Sequence, residues 1–312
     1  MQTCILIRAM RFAPPHMHSF KTSLCIAALV CGAIRPLLAA EPAGAVVVTD
    51  TAPRGSGLAE EAPVGATGRP EWTSARRFAN TRVYLQREPW EIGFEQWWRS
   101  RGNRDGTWEH KFQEEIEIGL PYRMQFDLYV DWEADQDGRS QYVDTAFELR
   151  FAFADWGKIP LNPTLYAEYK VVDPESGPDA YEFKLLLGEQ LAPRWHWGLN
   201  VAYEQEIGGS RTTEWQVNQG ISYTVIDNVL SVGMEMKYVD ESERGSRGEP
   251  ERKFLIGPSI QIRPTRNTHL DLVATWGTNE DAQNFEGFVV FGIDFGKFAS
   301  EHHYQPVSVR SN

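Results

Sequence analysis

Pairs of opposite charge two residues apart recur along the chain: Glu148 and Arg150, Glu168 and Lys170, Glu182 and Lys184, Glu235 and Lys237. Residues i and i+2 of an extended strand share a face, so each pair sets a carboxylate beside a cation on one surface. Such a surface, if turned away from lipid, has two uses. It lines a narrow pore with a polarised field, or it closes on itself as a salt-bridge network that fills the interior. Arg123, Asp127 and Asp131 have the same parity on their own segment. Arg263, His269 and Asp271 share it across the turn at residues 264 to 267, as a mouth cluster that contacts or gates solute or as a hairpin brace. His196 reads as a residue of the same kind.

Hydrolytic chemistry would need a serine, an imidazole and an orienting acid in one hydrogen-bonded line. His110, His196, His269, Ser222 and Ser231 are the available groups. His110 points outward, and no serine is placed level with it beside a supporting acid, so an enzyme is not expected. Asp135-Gln136-Asp137-Gly138 opens like a calcium loop but lacks the remaining ligand spacing, and reads as a solvated hairpin tip. No metal or other cofactor is expected. Cys4, Cys25 and Cys31 all precede residue 41, so the rest of the chain can form no disulfide or thiolate site. Cys25 and Cys31 lack the small preceding residue of a lipidation site.

Residues 1 to 40 read as a cleaved secretory signal. Arg8, Arg11 and Lys21 supply a basic start, Leu24 to Ile34 a short apolar core, and Leu38-Ala39-Ala40 a cleavage site, with Met10 or Met17 as alternative starts. The apolar run is too short to span a bilayer comfortably. Removing this segment leaves 27 basic against 43 acidic residues, a formal charge of −16 in place of −12. Such a chain is a poor polyanion binder, and nucleic acid is not an expected partner.

The elements that must position the charge pairs are strands. From Tyr122 to Glu133, apolar Tyr122, Met124, Phe126, Leu128, Val130 and Trp132 alternate with Arg123, Gln125, Asp127, Tyr129, Asp131 and Glu133. The pattern recurs to Phe295, and twelve strands are expected near 90 to 98, 108 to 120, 122 to 133, 142 to 155, 163 to 172, 180 to 188, 195 to 206, 212 to 224, 229 to 239, 251 to 263, 268 to 276 and 286 to 295. Connections alternate between longer polar loops and tighter turns, as in bacterial outer-membrane barrels. Trp156, Trp195, Trp197, Tyr223 and Phe295 would mark one rim; Trp132, Tyr169, Tyr181, Tyr203, Tyr238 and Trp276 the other. A mean hydropathy of −0.43 excludes a helical membrane protein and suits a barrel, which turns half its strand residues to lipid.

The expected fold is therefore all-β: an antiparallel transmembrane β-barrel of twelve strands over residues 81 to 296, in the outer membrane. A Pro- and Ala-rich stretch at 41 to 80 reads as a flexible periplasmic linker, and 297 to 312 as a tail. Glu114 and Gln219 carry outward parity, and Pro258 lacks a ladder donor; bulges in the second and tenth strands would account for Glu114 and Pro258.

The segments GPSIQIRPTRNTHLDLVATWG (257 to 277) and LLLGEQLAPRWHWGLN (185 to 200) resemble a group of uncharacterised bacterial outer-membrane barrels. These are loosely similar to the family labelled as a MetA-pathway phenol-degradation outer-membrane protein. The resemblance covers roughly residues 80 to 296 and implies an exported barrel with a transport role. The terminal GFVVFGIDF (287 to 295) resembles a barrel-assembly signal but is followed by seventeen more residues. Expected partners are outer-membrane lipid, the barrel-assembly machinery and small solutes. The leading expectation is a passive, porin-like narrow channel; the alternatives are a closed structural barrel with a salt-bridged lumen and, third, an outer-membrane lipid hydrolase.

Overall fold

The computed structural model describes residues 57–295. The expected signal, the linker up to residue 56, all three cysteines and the C-terminal tail lie outside the described residues. Twelve antiparallel strands form a closed barrel: β1 (Ile92–Gly102), β2 (Trp108–Leu120), β3 (Met124–Asp135), β4 (Ser140–Ala152), β5 (Thr164–Val172), β6 (Ala180–Ala192), β7 (Trp195–Glu206), β8 (Thr213–Ile226), β9 (Leu230–Ser242), β10 (Glu251–Thr265), β11 (Thr268–Gly277) and β12 (Phe285–Phe295). Closure runs from Phe285 opposite Gly102 to Phe295 opposite Ile92, so every strand has two neighbours. A closed ladder is what a bilayer demands of strands, because lipid offers no partner to a free backbone N–H or C=O.

Alternation decides the faces. On β3, Gln125, Asp127, Tyr129 and Asp131 are buried inside, while Phe126, Leu128 and Val130 look out. The outer surface carries exposed Ile116, Phe147, Leu149, Leu165, Phe183, Leu185, Val201 and Met234, the greasy belt of a barrel that spans an outer membrane. Ring pairs border it: Trp195 with Tyr223 at one end, Tyr181 with Tyr203 and Tyr203 with Trp215 at the other. Trp156 departs from the expected rim and packs edge-on against Trp72 and Tyr84, since its backbone N–H is tied to the Thr67 carbonyl.

Neither expected bulge forms. Strands β1 to β3 pair in regular register through Glu114, which truly faces outward, where it accepts a hydrogen bond from Gln96 Nε2 at 3.1 Å. Gln219 also keeps outward parity without a shift. Around Pro258 the β10–β11 register is the same on both sides, so the missing donor leaves a gap in the ladder.

Of the linker expected at residues 41 to 80, the described part, 57 to 80, is packed against the barrel wall. From Gly57 to Glu91 the chain lies within the barrel, through two 3-10 turns (Ala59–Glu61 and Glu71–Thr73) and a two-residue strand pair (Pro63–Val64 with Arg69–Pro70). The barrel therefore begins at Ile92, and the segment before it is a plug.

Candidate functional site

The plug touches inward-facing groups around nearly the whole circumference. Its apolar centre, Trp72, Phe78, Val83, Tyr84 and Leu85, packs with Ala152 of β4 and Trp156. The wall makes room with glycine: Gly188, Gly198 and Gly220 are cross-strand neighbours on β6, β7 and β8. A Cβ on Gly220 would stand 2.5 Å from Phe78 Cδ1, and one on Gly198 2.7 Å from Val83 Cγ2. Any larger side chain on this ridge would collide with the seated plug.

Polar anchors fix the plug at the end of the barrel with the short turns. The Ala59 and Glu60 amides donate to the Asp227 carboxylate at 2.7 and 3.0 Å, and the Arg194 amide donates to Glu61 at 2.6 Å. Burial raises the Glu61 carboxyl above its ordinary range. Higher in the lumen, Ala79 and Asn80 amides donate to Glu235 at 2.9 and 2.7 Å, and Asn200 bonds both the amide and the carbonyl of Arg82. Tyr84 donates its hydroxyl to the Ala154 carbonyl at 2.7 Å, and burial pushes that hydroxyl up to about 12.

Three guanidiniums complete the seat. Arg76 lies 2.7 Å from Glu95 and 3.5 Å from Glu115; Arg82 lies 2.9 Å from Glu115 and 3.6 Å from Glu117; Arg87 pairs with Glu117 and Asp294. Arg76 also stands 4.1 Å above the ring of Trp97, whose Nε1 donates to Glu95 at 3.1 Å. Charges this deeply buried persist when each has an opposite partner.

The residues expected to line the lumen face it, with one exception. Asp127 and Glu148 both bond Arg150, whose Nη1 donates to Gln86 of the plug at 2.7 Å. Asp131 pairs with Lys111, Glu168 with Lys170 at 3.4 Å, and Glu182 with Lys184 at 2.7 Å. Lys170 also reaches Glu204 at 2.8 Å. The fourth expected pair is split: Glu235 accepts from the plug, while Lys237 turns to Glu286 at 3.5 Å. Arg123 is not in the lumen. It sits at positive φ in the β2–β3 turn, partly exposed, 3.6 Å from Asp155, because the chain must reverse there before β3 begins.

The expected mouth cluster is half assembled. His269 bonds Asp271 at 2.6 Å and stands 3.4 Å from Glu95, whereas Arg263 turns to Glu71 of the plug at 3.2 Å. His196 stacks on Trp72 with centroids 4.6 Å apart. His110, on the outer wall, accepts from Trp98 Nε1 at 3.3 Å. The lumen thus has two levels. One is filled by the plug; the other, toward the long loops, carries Lys111, Lys170, Lys184 and Lys237 with side chains 15 to 20% exposed.

Sequence reasoning missed the plug and its seats: Glu95, Trp97, Glu115, Glu117, Asn200 and the glycine ridge. The signal was present, because all of these have inward parity, and Arg76, Arg77, Arg82 and Arg87 form a run of cations with no acid between them.

Comparison with known proteins agrees with this architecture. Residues 175–293 match a family described as "Putative MetA-pathway of phenol degradation", a region that contains both segments, 185 to 200 and 257 to 277, that carry the resemblance. No curated protein matches the chain by sequence. An outer membrane channel from Pseudomonas putida F1 is similar in fold, with a TM-score of 0.53 at 9% identity, covering 68% of this chain and 98% of that one. A KdgM porin in complex with disordered oligogalacturonate aligns at TM-score 0.47 and 9% identity (65% and 99% covered), and a NanC porin at 0.46 and 10% (66% and 99%). The chain is an outer-membrane β-barrel of twelve strands, similar to the phenol-degradation family over residues 175–293 and similar in fold to the Pseudomonas putida F1 channel.

Proposed function

We propose that this protein is a gated channel for small solutes in the outer membrane, closed by its own N-terminal plug. The observation that carries the reading is how the plug is held. Its long central arm, from Ser74 to Glu91, has no regular secondary structure, and beside one small apolar cluster it is held by ion pairs and single hydrogen bonds to many strands. A barrel meant to stay shut could fill its lumen with its own side chains, as narrower barrels do. A separate segment that occupies the lumen can also leave it. The short-turn end, where the plug is anchored, is the periplasmic side by the usual rule for bacterial barrels, and the charged vestibule opens outward.

Single-channel recording in planar bilayers tests this. The intact protein should show rare, brief openings. Arg76→Ala/Arg82→Ala/Arg87→Ala, which removes the ion pairs to the wall, should lengthen them at least severalfold. Silence in both proteins would refute the channel and favour the closed structural barrel.

A further inference from the structure

The plug does more than obstruct. Arg76 occupies a site with the parts of a guanidinium receptor: the Trp97 ring 4.1 Å beneath it, the Glu95 carboxylate at 2.7 Å and the Glu115 carboxylate at 3.5 Å. An aromatic face with flanking carboxylates is a standard way to hold a planar or quaternary cation. Trp97 is itself oriented by the hydrogen bond from its Nε1 to Glu95. Arg82 and Arg87 extend this row of cations along Glu115, Glu117 and Asp294.

Now consider the wall with the plug arm withdrawn. Glu115 and Asp294 lose every cation within 4.0 Å, and Glu117 keeps just Arg150 at 3.9 Å. Glu95 keeps His269. Some oxygens accept no hydrogen bond even with the plug seated: Glu95 Oε1, Glu117 Oε1 and Glu148 Oε2, each on a residue with almost no exposed surface. With the arm withdrawn, these carboxylates form a row short of cations on one wall of the lumen, and a passing cation is the solute that this row favours.

Resting on the channel reading above, we infer that the passengers are organic cations bearing guanidinium or primary ammonium groups, and that the plug is a tethered competitor occupying their site through Arg76, Arg82 and Arg87. Trp97, Glu95 and Glu115 form the selective step. Multivalent cations of extended shape fit best, because the carboxylates are strung along the wall much as the arginines are strung along the arm. The vestibule lysines do not oppose this, since each is paired with an acid of the same wall.

The test is a reversal-potential measurement on the purified, reconstituted protein in a tenfold KCl gradient, followed by spermidine on one side. The open state should prefer potassium over chloride by about tenfold, since the carboxylates left without cations at the level of the plug concentrate counter-ions there. Millimolar spermidine should raise the open probability severalfold by displacing the arm, and the same concentration of an uncharged sugar should not. Trp97→Leu should keep the cation preference and lose most of the spermidine response. Glu115→Gln/Glu117→Gln should move the reversal potential toward zero. Openings with no cation preference, or with no response to spermidine, would overturn the inference and leave the channel standing. A protein with no openings in any form would overturn both. The measurements on the unmodified protein decide the matter even if a variant does not assemble.

Discussion

Arg150 has no exposed surface and stands between Asp127 at 2.6 Å, Glu148, and Glu117 at 3.9 Å, with Gln86 of the plug as its remaining partner. Its value lies less in attraction than in what its loss would strand. Removing one member of a buried ionic group leaves uncompensated charge and costs about 3–5 kcal/mol. Arg150→Met should therefore lower the urea midpoint of the folded band on an unboiled gel by that equivalent, well beyond the effect of replacing a surface arginine such as Arg252. An unchanged midpoint would show that water or a rearranged plug neutralises Asp127 and Glu148. Tyr84 illustrates a milder anchor. Its hydroxyl is raised to about 12 by burial, so the neutral form is favoured in the folded state. Its bond to Ala154 is fully present below the ordinary tyrosine range and is lost only as the pH rises through that value.

At the scale of elements, the strands were open to reading because a buried and a lipid-facing surface force period-two alternation, and because polar connections punctuate it. β3 shows this plainly: Gln125, Asp127 and Asp131 are all inside, as their parity required. Parity also held where it seemed least plausible. Glu114 faces outward near the middle of β2 and meets Gln96 across the β1–β2 ladder. A carboxylate on the lipid face is destabilising, most at mid-depth. Replacing both members, Gln96→Leu/Glu114→Leu, should raise stability by about 1–2 kcal/mol in the same gel-shift titration. A loss of stability would mean that the pair has a partner on the outer surface. The plug escaped reading for the opposite reason. Residues 57 to 91 have no period, and Pro63, Pro70 and Pro89 break every local pattern, so composition alone suggests a loose chain. Its order is supplied by the wall. Gly188, Gly198 and Gly220 are inward glycines in a row, and a row of missing side chains at one level of a barrel marks a space that something else fills.

At the scale of the whole molecule, the barrel and its plug divide the charge between them. The wall at plug level is rich in carboxylates, and the arm from Arg76 to Arg87 brings four cations and no acid. Neither part is electrostatically complete alone, which makes the closed state stable and lets a competing cation open it. The central claim is that the plug must move for solute to pass. The geometry offers a direct lock: a Cβ on Gly188 would lie 3.3 Å from Val83 Cβ, near the spacing that a disulfide bridges. Every cysteine of the sequence precedes residue 41, within the expected signal, so the introduced pair would have no competitor after cleavage. Val83→Cys/Gly188→Cys, recorded in planar bilayers before and after a reductant, is the measurement to make. The account predicts no openings while the bridge is oxidised and their return once it is reduced. Equal conductance in the two states would contradict it.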